Sequence, residues 1–201
     1  MADLLFRPFA FPLALVAWFC GCAGNPPEPK VQPPPTIRGV ERYFPLGDGY
    51  VYVYETSVEG DGARDMLLLR VKRLDAGRAQ MQTGSGTRDL IIGLNAIKRE
   101  GSGFVLRAPL RQGATWGGEN GGNTKVDAVD VKVAVPAGKF EGCIRTVEVI
   151  EGDARGQITS VFCDGVGIAE MHVEQWQGSS HAAKRFVLKS FGPPVRIDTQ
   201  R

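Results

Sequence analysis

The residue types able to do chemistry are few in this chain and poorly spaced for it. Its two histidines, His172 and His181, stand nine positions apart on different predicted elements. They form no His-x-x-x-His pair and no Glu-adjacent zinc pattern, so no metal centre is expected from them. Ser102, Ser160, Ser179 and Ser180 lie in glycine-rich or strand contexts without a nucleophile elbow, which disfavours a hydrolase. The glycine-rich segment Trp116-Gly-Gly-Glu-Asn-Gly-Gly-Asn123 could hold a cation or phosphate through its backbone. It lacks the Gly-Lys-Ser/Thr ending of a P-loop and the Asp spacing of a calcium loop, and reads as a mobile hairpin loop. Asp127 and Asp130 are an odd number of residues apart, so a regular strand would turn them to opposite faces, against a paired-carboxylate site. The expectation is a protein that is not an enzyme, with no catalytic residues, no cofactor and no metal.

Thiol chemistry is the exception. Residues 1–21 contain one basic side chain near the start, Arg7, and an apolar run from Phe9 to Phe19 interrupted by Pro12. That is the outline of a secretory signal, and the run falls well short of the roughly 20 residues a membrane-spanning helix needs. It ends in Phe19-Cys20-Gly21-Cys22, which resembles a bacterial lipobox, with Gly21 ahead of the cysteine that receives the lipid. Phe19 and Cys20 depart from the commonest lipobox residues, and Asp3 weakens the basic start. The resemblance implies lipidation of Cys22 as the first mature residue and a membrane anchor of acyl chains, each worth roughly 0.8 kcal/mol per buried methylene. A plain cleaved signal and an uncleaved anchor are the alternatives. Residues 22–36 follow as a tether, since six of the eleven residues from Asn25 to Pro35 are proline and favour extended polyproline conformation. Ala23 after the cysteine, in place of Asp, resembles the outer-membrane sorting signal of bacteria that use that rule.

With Cys20 removed and Cys22 lipidated, Cys143 and Cys163 remain. An exported protein with an even remainder suggests a disulfide. The strand-like segments Phe140–Ile150 and Gly156–Cys163 make a hairpin if they turn through Glu151–Arg155. Pairing Ile150 with Gly156 then sets Cys143 opposite Cys163.

The elements that must position these residues are strands. Short segments of alternating or β-branched apolar residues run from Tyr50–Tyr54 through Met66–Lys72, Arg78–Gln82, Leu90–Lys98, Phe104–Arg107 and Val126–Val135. Beyond the cysteine hairpin come Ile168–Trp176 and Arg185–Lys189. Turn residues bound each, and no 3.6-residue apolar period persists. The fold class is therefore all-β. A single domain over 37–192, of about 9–10 antiparallel strands, should form a strongly curved half-barrel, a closed barrel or two packed sheets, with residues 193–201 as a tail. A concave apolar face must be filled by side chains, a loop or a ligand. Pro45-Leu46-x-x-Gly49-x-x-Tyr52 recurs as Pro109-Leu110-x-x-Gly113-x-x-Trp116, which reads as twin hairpin openings or a duplicated half-domain.

Val135-Pro-Ala-Gly-Lys-Phe-Glu-Gly-Cys143, Gly165-Val-Gly-Ile168 and the opening Tyr43-Phe-Pro-Leu-Gly-Asp-Gly-Tyr50 resemble a loose group of exported bacterial β-rich proteins of unknown function. The likeness spans most of residues 43–176. Lys139 replaces a usual Thr, Tyr52 a common Trp, and Cys163-Asp164 an aromatic before the Gly-Val-Gly turn. The resemblance implies one exported domain related in architecture to curved-sheet carriers, and no reaction. The net charge of +2 survives loss of Asp3 and Arg7 and gives no pull toward nucleic acid. Two functions are expected at the bacterial envelope, on the outer membrane: a binding or scaffolding lipoprotein with an envelope protein partner, or a carrier of a lipid or other small hydrophobic ligand in the concave face of the curved sheet.

Overall fold

The computed structural model describes residues 39–193. The signal segment, Cys22, the proline tether and the tail from residue 194 lie outside them. Among the described residues, twelve antiparallel strands form one nearly closed, barrel-shaped sheet with almost no helix. The first six are β1 (Val51–Val58), β2 (Arg64–Asp75), β3 (Arg78–Thr83), β4 (Gly86–Ile92), β5 (Ala96–Arg99) and β6 (Phe104–Arg107). The second six are β7 (Thr115–Gly117), β8 (Asn123–Val135), β9 (Gly138–Ile150), β10 (Ala154–Cys163), β11 (Gly167–Gln177) and β12 (Ser180–Gly192).

Alternation decides which side chains turn inward. In β1 the side chains of Tyr52, Tyr54 and Thr56 are buried while the residues between them stay partly exposed. β10 pairs with β9 at Ile150 and Gly156, so Ser160 and Phe162 face the interior beside Thr146 and Ile144. Two departures from the sequence reading account for the higher strand count. The segment Leu90–Lys98 is broken by a tight turn in which the Gly93 amide donates to the Ala96 carbonyl, giving β4 and β5. β7 is three residues long, too short for any alternation to be read.

Each half is an up-and-down meander, and the halves join where β1 pairs with β12. The recurrent Pro-Leu-x-x-Gly motif opens both. Gly49 donates to the Val71 carbonyl, Val71 to the Tyr50 carbonyl and Tyr50 to the Gly47 carbonyl. Gly113, Val126 and Ala114 repeat the same three bonds with Val126, Ala114 and Arg111. Both motif glycines have positive φ, 74° and 84°, which a residue with a Cβ adopts only with strain. Each motif thus turns the chain into its first strand and buries an aromatic, Tyr52 or Trp116, two residues into it.

Turns after the odd-numbered strands gather at one end of the barrel and turns after the even-numbered strands at the other. The second end is plugged by the segment after the 3-10 turn Gly39–Tyr43, whose Phe44 and Leu46 are almost fully buried. Phe44 packs edge-on against Phe162 at 6.1 Å, and Arg42 pairs with Asp164 at the β10–β11 turn. The Cys143–Cys163 disulfide lies near this end with a Cα separation of 4.2 Å and both residues buried.

The two edge strands meet at a seam. Phe104 and Gly118 form a single parallel bridge, the Trp116 indole donates to the Phe104 carbonyl at 3.2 Å, and the Ser102 hydroxyl to the Glu119 carbonyl at 2.6 Å. Such near closure removes most of the exposed edge that an open sheet would present. Gly103 is required here, because a Cβ on it would fall 1.9 Å from the Gly118 carbonyl oxygen.

Candidate ligand cavity

The plug fills only part of the concave face. Toward the open end the inner surfaces of β9 to β12, the seam loop and the facing β4 enclose a cavity of about 430 Å³. Ile150, Ile158, Phe162, Ile168, Met171, Val173 and Phe186 form an apolar wall. Glu119, Asn120, Thr124, Thr146, Glu148 and Ser160 supply a polar one, with Arg88 and Gln175 exposed at the rim. The volume lies in the range of small-molecule sites, in which an apolar lining with a few polar groups is usual.

The glycine-rich loop is a wall of this cavity, and its conformation is set by a side chain from β9. Glu148 is buried and its carboxylate accepts from the Asn120 amide at 2.9 Å, the Gly122 amide at 3.0 Å and Asn120 Nδ2 at 3.0 Å. Gly118 has no room for a Cβ, which would lie 2.3 Å from the Glu148 carboxyl. The loop read from sequence as mobile is therefore held through backbone groups, as expected of such a segment, but by a carboxylate of the protein itself.

Glu119 is treated differently. Among the described residues no hydrogen-bond donor reaches its carboxylate, whose nearest cation is the Arg88 guanidinium at 3.9 Å. Burial pushes its carboxyl above the usual range and the neighbouring Glu148 charge adds to this, while Arg88 and Arg99 act in the opposite sense.

Of the remaining sequence candidates, most fall elsewhere. His172 and His181 are brought onto adjacent strands and flank Glu174 on the outer face, at 3.7 and 3.6 Å, with His181 stacked on Trp176. No group of three or more His, Cys, Asp or Glu among the described residues is placed to hold a metal. Ser160 lines the cavity and Ser102 serves the seam. The parity argument for Asp127 and Asp130 does not apply, because β8 is bulged between Val126 and Val131 and Asp130 has φ 56°. Asp127 instead pairs with Arg145 at 2.7 Å.

Sequence reasoning missed Glu119, Glu148 and Arg88. Glu148 did leave a signal: in the hairpin register it shares inward parity with Ile144, Thr146 and Ile150, and a charge there needs a partner.

The fold and cavity define a class: an all-β, nearly closed single-sheet barrel, plugged at one end and hollow at the other. Comparison with known proteins adds little to that definition. No protein-family model matches the chain, and no curated protein matches it. Two solved structures are similar. One, from Parabacteroides distasonis and described as a candidate lipoprotein, is 12% identical with a TM-score of 0.44, covering 75% of this chain and 98% of that one. The other, from Bacteroides fragilis and described as a candidate exported protein with a YmcC-like fold, is 15% identical with a TM-score of 0.41, covering 74% and 98%.

Proposed function

We propose that this chain is an exported, membrane-tethered binding protein that carries a small amphiphile inside its barrel and catalyses no reaction. The observation that carries the reading is the cavity of about 430 Å³ on the concave face, which the chain's own plug leaves unfilled. Its mixed lining favours an amphiphile over a pure hydrocarbon, which would leave Glu119, Thr146 and Ser160 without partners. The tethering part rests on the lipobox resemblance at Cys22, and the outer-membrane address on Ala23.

A neutral solvatochromic dye such as N-phenylnaphthylamine tests the cavity. Uptake should be saturable and should weaken at least about tenfold in Val173→Trp, which fills the apolar wall. Absence of uptake, or uptake indifferent to Val173→Trp in a folded variant, would overturn the carrier reading. Cys22→Ser tests the anchor: the variant should leave the membrane fraction, and unchanged fractionation would refute lipidation there.

A scaffolding role is the second reading, favoured by Met66 and Leu68, each 49% exposed on the outer face of β2 beside a groove of about 580 Å³. Crosslinking from intact envelopes that recovers no partner through this face would remove it.

A further inference from the structure

Resting on the cavity reading above, we infer that the site selects a single-chain amphiphile with a positively charged, hydrogen-bond-donating head, and that Glu119 is the residue that contacts that head. The inventory of polar groups leads there. Thr124, Thr146 and Ser160 carry hydroxyls that donate or accept, and Gln175 does either, so none of them sets a sign. Charge is decided by Glu119, Glu148 and Arg88.

Glu148 has its oxygens engaged by three N–H groups of the seam loop, so its negative charge remains in the wall while most of its hydrogen-bonding capacity is used. Glu119 has a side chain 20% exposed, and among the described residues no hydrogen-bond donor reaches its carboxylate on the same wall. Arg88, the one cation lining the cavity, has a side chain 53% exposed and reaches Glu119 only at 3.9 Å. Two carboxylates stand in the wall, while the cations whose charges reach Glu119 are Arg88, solvated at the rim, and Arg99, which does not line the cavity, so the interior itself is short of donors. An acidic head would stand beside like charges, which is unfavourable at close quarters. An ammonium would supply the hydrogen bonds that Glu119 lacks, with its alkyl chain against Ile158, Val173 and Phe186. The upward push that burial gives the Glu119 carboxyl agrees with a group that has lost much of its solvent contact while meeting no hydrogen-bond donor of the protein.

The test is calorimetric titration of the chain with decylammonium, decanol and decanoate, which share a tail and differ in the head. Decylammonium should bind at least about tenfold more tightly than decanoate, with decanol between them. Glu119→Gln should bring the three within about threefold of one another while decanol affinity holds, which reports that the cavity itself is intact. Equal or tighter binding of decanoate by the unmodified chain would overturn the inference and leave the carrier reading standing. So would a charge preference that survives Glu119→Gln. Arg88→Gln is the second variant: selective loss of decanoate binding would reassign the head to the guanidinium and likewise overturn it. Failure of all three amphiphiles to bind would remove the carrier reading itself, and the inference with it.

Discussion

Glu119 and Glu148 share one cavity wall, yet the protein satisfies one and leaves the other bare. The bare carboxylate weighs against folding. Its folded-state pKa lies above the ordinary value of 4.5, so at neutral pH the ionised form favours the unfolded chain. As pH falls through the raised pKa the folded state takes up the proton first and recovers that stability, until the unfolded chain is also protonated near 4.5. Glu119→Gln, close in shape and uncharged, should therefore melt above the unmodified chain at pH 7. The gap should close as the pH approaches about 4.5. A constant gap across that window would show that burial of the charge is not its source. A substitution that stabilises the fold and abolishes selectivity is the pattern expected of a residue kept for binding. Glu148 should behave in the opposite way. Glu148→Ala leaves the Asn120 and Gly122 amides without their acceptor and should cost about 3 kcal/mol in urea unfolding. Hydrogen exchange at those two amides should rise, and unchanged protection would mean that the loop is held by something else.

Among the elements, the hairpin of β9 and β10 depends on the covalent link at its far end. The bridge joins residues 20 positions apart, where both cysteines are buried in the core. Replacing both cysteines by serine should lower the unfolding free energy by about 3 kcal/mol while the far-ultraviolet spectrum keeps its β signature. A loss well under 1 kcal/mol would show that the register alone holds the hairpin. That register was legible in the sequence, because Ile150 and Gly156 flank an obvious turn and two cysteines fall opposite each other when they pair. Most strands were legible for the same local reason, that alternation and turn residues repeat within a few positions. What was not legible depends on partners far along the chain. β7 is a strand only because Lys125 and Thr124 lie beside Thr115 and Trp116. The bulges of β8 bend the strand where it pairs with β9, and they defeat a parity argument that assumes a regular strand. The plug was invisible too, since Phe44 and Leu46 read as part of a strand opening. Only the closed sheet shows that they fill one end of a barrel. The cavity itself is the space that remains once those distant pieces are assembled.

On the scale of the whole molecule, two joints close the barrel, and they are built unequally. β1 and β12 pair over eight residue positions and join the two meanders, with Tyr54 set opposite Leu188 and the Tyr54 hydroxyl bonded to the Ile168 carbonyl at 2.9 Å. The seam opposite has one backbone bridge and two side-chain bonds. Opening the seam should therefore be a local event, whereas loosening the β1–β12 joint should release both meanders together. Leu188→Ala empties a fully buried position at the strong joint and should cost about 3 kcal/mol. Because the loss falls where the halves meet, amide protection should decline in β3 and β4 as well as in β9 and β10. Gly103→Ala drives a Cβ into the Gly118 carbonyl and should cost about 2 kcal/mol by overpacking. Its exchange effects should stay within β6, β7 and the loop that carries Glu119. Since that loop walls the cavity, the same variant should speed the release of a bound amphiphile while leaving the distant strands protected. Equal and global loss of protection in both variants would refute the distinction, and the seam would then belong to the cooperative core rather than serve as the side on which the barrel can open.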